Sequence, residues 1–174
     1  MSDFAHRLAL DRIRDGDRMD LVADEAERRA IAERLRLGEL KRFDAHVVLS
    51  KVGDMVRASG RLHASLDQSC VVTGERVRAN VDEAFELMFV PEPKGAAPDE
   101  EIELSPAECD TLFYDGAAID LGEALADTLA LAVDPYPRSP AAEVALKQAG
   151  VISEEEAGPF GALSQLKARM GGGE

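Results

Sequence analysis

Residues 69–77 read SCVVTGERV, and Cys70 stands three positions before Thr73, where a second cysteine would complete a zinc knuckle. A structural zinc takes four ligands, commonly as two closely spaced pairs, because each short knuckle presets two of the tetrahedral positions. Here Cys70 and Cys109 are single, and His6, His46 and His63 are scattered, so no metal site is expected. A nucleophilic Cys70 needs a base or cation beside it to favour the thiolate, and His63 is the residue placed to approach across a hairpin. The plainer reading is a buried or half-buried thiol at a hairpin tip, with His63 on the solvent side of an alternating strand. The chain holds no GxGxxG, Walker A, HExxH or GxSxG sequence. No catalytic residue, cofactor or small-molecule substrate is therefore assigned, and the protein is read as a non-enzyme.

Charged clusters are the remaining candidates. Arg57, Arg61 and His63 alternate on one strand, Arg76 and Arg78 stand near the facing strand, and Arg28, Arg29, Arg34 and Arg36 fan around a helix. Clustered guanidiniums can track phosphates, but they are as readily explained as surface charges paired with neighbouring carboxylates. No interleaved aromatic platform for bases accompanies them. On the acidic side, Asp99, Glu100, Glu101 and Glu103 form a run that reads either as a solvated loop or as a surface for a cationic partner. Asp120 and Glu123 are placed for helix capping.

The net charge is −14 and it is lopsided. Residues 1–43 hold ten basic and ten acidic side chains, residues 44–90 five and seven, and residues 91–174 five and seventeen. The second half should repel a phosphate backbone and attract cations, which excludes a whole-surface RNA binder. With only two cysteines there is no disulfide framework, and no N-terminal apolar segment or long apolar run marks secretion or a membrane span, so a cytoplasmic protein is expected.

The elements that position these residues follow from pattern. A chain of 174 residues can bury roughly 70% of its unfolded surface as one domain. Aromatics are 5% of it and Trp is absent, so the core is built mainly from Ala, Val, Leu and Ile. Residues 24–38 predict a helix, with Asp24 and Glu27 as its capping box, Ala30, Ile31 and Leu35 as its apolar stripe and Gly38 past its end. Alternation begins at Ala45, turns at Gly53-Asp54 and runs cleanly through Val56–Leu66, a strand long enough to require a bend or bulge near Gly60. It resumes from Val77 to Phe89, which makes an antiparallel hairpin with SCVVTGERV at its tip. Four prolines punctuate residues 91–106, with one short strand expected at Glu101–Leu104. Ile119–Val133 predicts a second helix opened by Asp120, and Asp134-Pro135-Tyr136-Pro137 stops it. A short helix through Lys147 follows, and Phe160, Leu163 and Leu166 are spaced to anchor the tail.

Three stretches in this order carry a family resemblance: the Cys70 loop after a long strand, then YDGAAIDLGEALADTLALAVDPYPRSP, then GPFGALSQLK. Together they resemble the YceD family, the large ribosomal RNA subunit accumulation proteins of bacteria and plastids, over roughly residues 44–167. The resemblance implies a role in synthesis, processing or stability of large-subunit ribosomal RNA, with ribosomal RNA or ribosomal proteins as partners and no catalytic residue. Many members carry a second cysteine where Thr73 stands and another after the P-x-P exit, near Ala142. This chain has neither, so any metal site of those relatives is lost here.

The expectation is a single α+β domain over residues 1–170, with 171–174 a loose tail. Its sheet is twisted, mainly antiparallel and built on the long hairpin, packed by two or three helices. Arg57, Arg61, His63, Arg76 and Arg78 are the candidate contacts for RNA or another partner. Asp99, Glu100, Glu101 and Glu103 are the candidate acidic surface. The alternative function is an acidic adaptor that holds basic ribosomal proteins and affects ribosomal RNA indirectly.

Overall fold

Alternation of apolar and polar residues carries the sheet further along the chain than the sequence reading reached. The structure, a computed structural model, describes residues 4–92 and 111–151. In chain order the elements are β1 (Arg7–Ala9), β2 (Arg18–Val22), α1 (Glu25–Arg34), β3 (Glu39–Val52), β4 (Met55–Ser69), β5 (Arg76–Pro91), β6 (Thr111–Tyr114), β7 (Ala118–Asp120), α2 (Leu121–Ala132) and α3 (Ala142–Gln148). The expected α+β class is what is found. Two compact units divide the chain: Met1–Gln68 with Arg78–Pro135, and Ser69–Val77 with Tyr136–Glu174.

In the first unit, β2, β3, β4, β5 and β6 form one sheet in that order, and β1 pairs with β7 in a separate two-stranded ribbon. β2–β3 and β3–β4 are antiparallel, while β6 joins β5 in parallel as an edge. Side-chain pairing shows that β4 and β5 also run antiparallel: Arg57 reaches Glu86 and Arg61 reaches Asp82, one number rising as the other falls. β1 and β6 are too brief to show alternation in the sequence, whereas β2 alternates through Arg18, Met19, Asp20 and Leu21 over only five residues. The strand expected at Glu101–Leu104 and the tail anchors Phe160, Leu163 and Leu166 lie outside the described residues.

One face of the sheet makes the core. Phe43, Ala45, Val47 and Leu49 of β3 meet Val56, Ala58, Leu62, Ala64 and Leu66 of β4, joined by Phe85, Leu87 and Phe89 of β5. Ile31 of α1 and Leu121, Leu125 and Leu129 of α2 close over them and are fully buried. Full burial of a Leu or Ile side chain stabilises by roughly 1.5–3 kcal/mol. That accounts for a stable core with few aromatics.

On the β3 side no bulge falls at Gly60, where a bend or bulge was expected: the β3–β4 register runs straight through Val47↔Gly60 and shifts instead between Leu40 and Arg42. Gly60 serves close approach. A Cβ at this position would lie 1.9 Å from the His46 carbonyl oxygen and 3.1 Å from Cζ of Phe85, so the ring fills the space a side chain would take.

α1 starts as its capping box predicts, Glu27 N–H donating to Asp24 Oδ1 at 2.9 Å and Asp24 N–H to Glu27 Oε2 at 2.8 Å. It ends at Arg34, earlier than expected, and Arg36 rather than Gly38 takes the left-handed conformation, with φ 54°. Gly38 N–H donates to the Asp67 carbonyl at 2.7 Å, tying the start of β3 to the end of β4. α2 begins with Glu123 N–H on Asp120 Oδ1 at 3.1 Å. The N-terminal arm lies across its first turn, where Leu121 N–H donates to the His6 carbonyl at 3.1 Å. Contact there is so close that a Cβ on Gly122 would come within 1.9 Å of the Phe4 carbonyl oxygen.

In the second unit, residues 70–75 link β4 to β5 as a tight turn, with Cys70 N–H donating to Glu75 O at 2.7 Å and Gly74 N–H to Cys70 O at 2.9 Å. Val71 N–H donates to Pro137 O at 2.9 Å, which lays the chain after α2 along the turn, and α3 follows.

Candidate functional site

The second face of the sheet carries the charged residues singled out from the sequence. Alternation places Arg57, Arg61 and His63 of β4 outward, opposite the buried set. Arg78 takes the same side of β5 as Asp82 and Glu86, and Arg76 opens that strand. Their clustering was legible. What the sequence did not reveal is the carboxylate set against each one, because that depends on strand register.

Arg57 is held by Glu86 at 2.5 Å and Arg61 by Asp82 at 2.8 Å, both pairs crossing from β4 to β5. His63 stands opposite Asp44 of β3, with Nδ1 3.4 Å from Asp44 Oδ2, and its Nε2 is 3.6 Å from Asp82 Oδ1. Both separations are longer than a good hydrogen bond, and they are ion pairs only when the imidazole is protonated. Arg42 pairs with Asp44 on the same strand, and His46 Nδ1 lies 2.6 Å from Oδ1 of its cross-strand partner Asp20. The open face thus sets a carboxylate beside Arg42, Arg57, Arg61, His46 and His63, with His46 and Arg61 themselves direct neighbours across β3 and β4. Asp20, Leu21, Val22, Asp44, His46 and His63 border a shallow groove of about 390 Å³ at its β2 side.

Half-exposed pairs of this kind contribute only about 0–1 kcal/mol each to stability. Their weight is on recognition. A phosphate reaching Arg57 or Arg61 has to displace a carboxylate already in contact, so the face offers far less to a polyanion than the same guanidiniums unpaired would. Among the described residues Arg78 has no ion-pair partner, whereas Arg76 is engaged. The acidic run Asp99, Glu100, Glu101 and Glu103, and Cys109, lie outside the described residues.

Cys70 is buried, with 4% of its surface exposed, and its surroundings account for the missing knuckle. Thr73 N–H donates to Cys70 Sγ at 3.4 Å and Ser139 N–H at 3.2 Å. The Thr73 and Ser139 hydroxyls lie 3.1 Å apart, and Thr73 Oγ1 also donates to Glu75 Oε2 at 3.1 Å. Burial pushes the thiol up, but hydrogen bonds from the Thr73 and Ser139 side chains and backbones outweigh it and bring its pKa down to about 6. Dipoles thereby answer the sulfur charge that a metal ion would otherwise neutralise. The resemblance pointed to a position near Ala142 for a further relative's cysteine, yet the residue on the sulfur is Ser139, and Ala142 is separately buried. Among the described residues no group of three or more His, Cys, Asp or Glu converges as metal ligands do.

At the far end of the sheet Tyr114 donates its hydroxyl to the Asp54 carbonyl at 2.6 Å, fastening the β3–β4 turn to β6. Burial first, and the Asp54 carboxylate second, push this phenol above its usual range. No described helix is long and apolar enough to cross a membrane.

Comparison with known proteins adds one finding. The family model described as "Large ribosomal RNA subunit accumulation protein YceD" matches residues 58–167, from near the start of β4 onward. No curated protein and no solved structure matches.

Proposed function

The chain belongs to the YceD family, and from that premise we propose that it is a non-enzymatic ribosome-biogenesis factor that supports the synthesis, processing or stability of large-subunit ribosomal RNA in the cytoplasm. The family match over well over half of the chain is the observation that carries this reading. The described residues contribute a sheet face rich in charged side chains, which suits docking. Depleting the protein and measuring large- against small-subunit ribosomal RNA tests it. A fall in the large-subunit species is expected, and an unchanged ratio refutes it.

The pairing of Arg57 with Glu86 and Arg61 with Asp82 favours a second reading, in which the protein acts through a basic ribosomal protein and its effect on RNA is indirect. Acidic surfaces bind cationic tails with an affinity that falls as salt rises. Titrating the protein with naked large-subunit RNA and with a basic ribosomal protein, at low and moderate salt, separates the two. Direct contact predicts that Glu at Arg57, Arg61, Arg76 and Arg78, and loss of His63, abolish RNA binding. The adaptor predicts that neutralising Asp99, Glu100, Glu101 and Glu103 abolishes protein binding instead.

A further inference from the structure

The outward face changes character toward the β3–β4 turn. Beyond the Arg57–Glu86 pair the paired charges give way to apolar side chains. Val52 and Met55 are cross-strand partners flanking the Gly53-Asp54 turn, 68% and 46% exposed. The pairing of Arg57 with Glu86, carried two residues further, sets Met88 of β5 beside Met55. Val90 is in register with Phe113 of the edge strand β6, and Phe113 is 52% exposed. Neighbouring strands lie about 4.8 Å apart, so these side chains, Val52, Met55 and Phe113 exposed and Met88 and Val90 half-buried between them, form one band roughly 14 Å wide across four strands. A contiguous exposed apolar patch rimmed by polar groups marks an interaction site more often than scattered apolar residues do.

The rim is acidic. Asp54 lies in the turn, Glu92 follows β5 and Asp115 follows β6, and with Tyr114 they border a groove of about 400 Å³. Among the described residues no Lys, Arg or His stands within ion-pairing distance of any of the three. The chain leaves the described residues at Glu92 and re-enters at Thr111, beside this patch, and the eighteen residues between carry six carboxylates against one lysine.

We propose that this end of the open sheet face docks a cationic polypeptide segment bearing apolar anchor side chains, with Val52, Met55, Met88, Val90 and Phe113 receiving the anchors and Asp54, Glu92 and Asp115 facing its charges. Charge complementarity selects this occupant. A polyanion meets three carboxylates that have no ion-pair partner among the described residues, and a second copy of the chain would bring the same acidic rims together, an arrangement that like charges disfavour. The site stands on its own geometry, and it gives the adaptor reading a surface.

The test is a fluorescence-anisotropy titration of the full chain with two labelled synthetic peptides of equal charge, one of lysine and arginine interspersed with leucine and phenylalanine, the other with serine in place of the apolar residues. The anchored peptide is expected to bind at least about tenfold more tightly, because buried apolar anchors dominate such contacts. The M55S/F113S variant, altered only at exposed positions, should lose that advantage while keeping its circular dichroism. E92K/D115K should weaken both peptides and flatten their salt dependence. Equal binding of the two peptides, or wild-type affinity in M55S/F113S, overturns the proposal. So does a dimer of the wild type in sedimentation equilibrium that M55S/F113S converts to monomer, which would assign the patch to a second copy. Peptide binding bears on this surface alone, and depletion bears on the ribosomal role alone, so the failure of either is recognisable without the other.

Discussion

Replacing Thr73 by Val removes the hydroxyl that lies beside the Cys70 sulfur, on Glu75 and Ser139, while keeping the shape of the side chain and the backbone N–H at 3.4 Å. In the wild type the thiol is brought to about 6 by the groups around it, against the opposing effect of burial. At pH 7 such a group is roughly nine-tenths thiolate, whereas an ordinary thiol near 8.5 is a few per cent ionised. The Thr73 side chain favours the charged form, so its loss should raise the titration midpoint. The assay is thiolate absorbance near 240 nm against pH in a Cys109→Ser background, so that one sulfur is read. The sign of the stability effect follows from the direction of the shift. Because the folded pKa lies below the unfolded one, the contribution of Cys70 is complete above about pH 8.5 and disappears as pH falls toward 6. The melting temperature of the wild type relative to Cys70→Ala should therefore rise between these values, and rise less in Thr73→Val. A midpoint above 8 in the wild type, or a midpoint that Thr73→Val leaves in place, refutes the reasoning.

Gly122→Ala forces a Cβ into the Phe4 carbonyl oxygen 1.9 Å away. It should cost about 1–3 kcal/mol in urea denaturation, the usual range for overpacking, and should speed amide exchange at Arg7–Ala9, whereas unchanged exchange would mean the N-terminal arm is not held as described. Leu62→Ala empties a fully buried position and should cost about 2–5 kcal/mol, while Leu131→Ala, at a residue 88% exposed on α2, should stay within about 0.5 kcal/mol. Arg61→Ala should cost less than about 1 kcal/mol, since its pair with Asp82 is more than half exposed on both sides, and a larger loss would show the paired charges to be a structural network.

Periodicity and capping explain which parts of the fold were legible. The α1 and α2 starts were readable because Asp24 and Asp120 act within four residues of chain, and β4 and β5 because their alternation is long. The end of α1 was misread because the cap conformation fell to Arg36, which has no glycine signal. β1 and β6 exist through partners distant in sequence, β1 against β7 and β6 against β5, and no local pattern encodes such pairing. On the β3 side the bulge was misplaced for a related reason: Gly60 is demanded by the His46 carbonyl and the Phe85 ring, both contributed by other strands. At the site, the cations were visible in sequence but Asp44, Asp82 and Glu86 were not visible as their partners. Ser139 was hidden likewise, 69 residues from the sulfur it donates to.

The pairing has a consequence for how a partner arrives. Paired charges cancel at a distance, and with a Debye length of about 8 Å at physiological salt the open face contributes little field to an approaching molecule. The far field is set by the excess of carboxylates in residues 91–174, which steers cations inward and polyanions away. Association with a cationic segment should therefore slow as salt rises, whereas addition of salt should relieve the repulsion that opposes an RNA. The sign of the salt dependence of the on-rate thus distinguishes the two partners without any mutation. It is set by the whole charge distribution, which removing the Arg57–Glu86 or Arg61–Asp82 pair as a unit would leave in place.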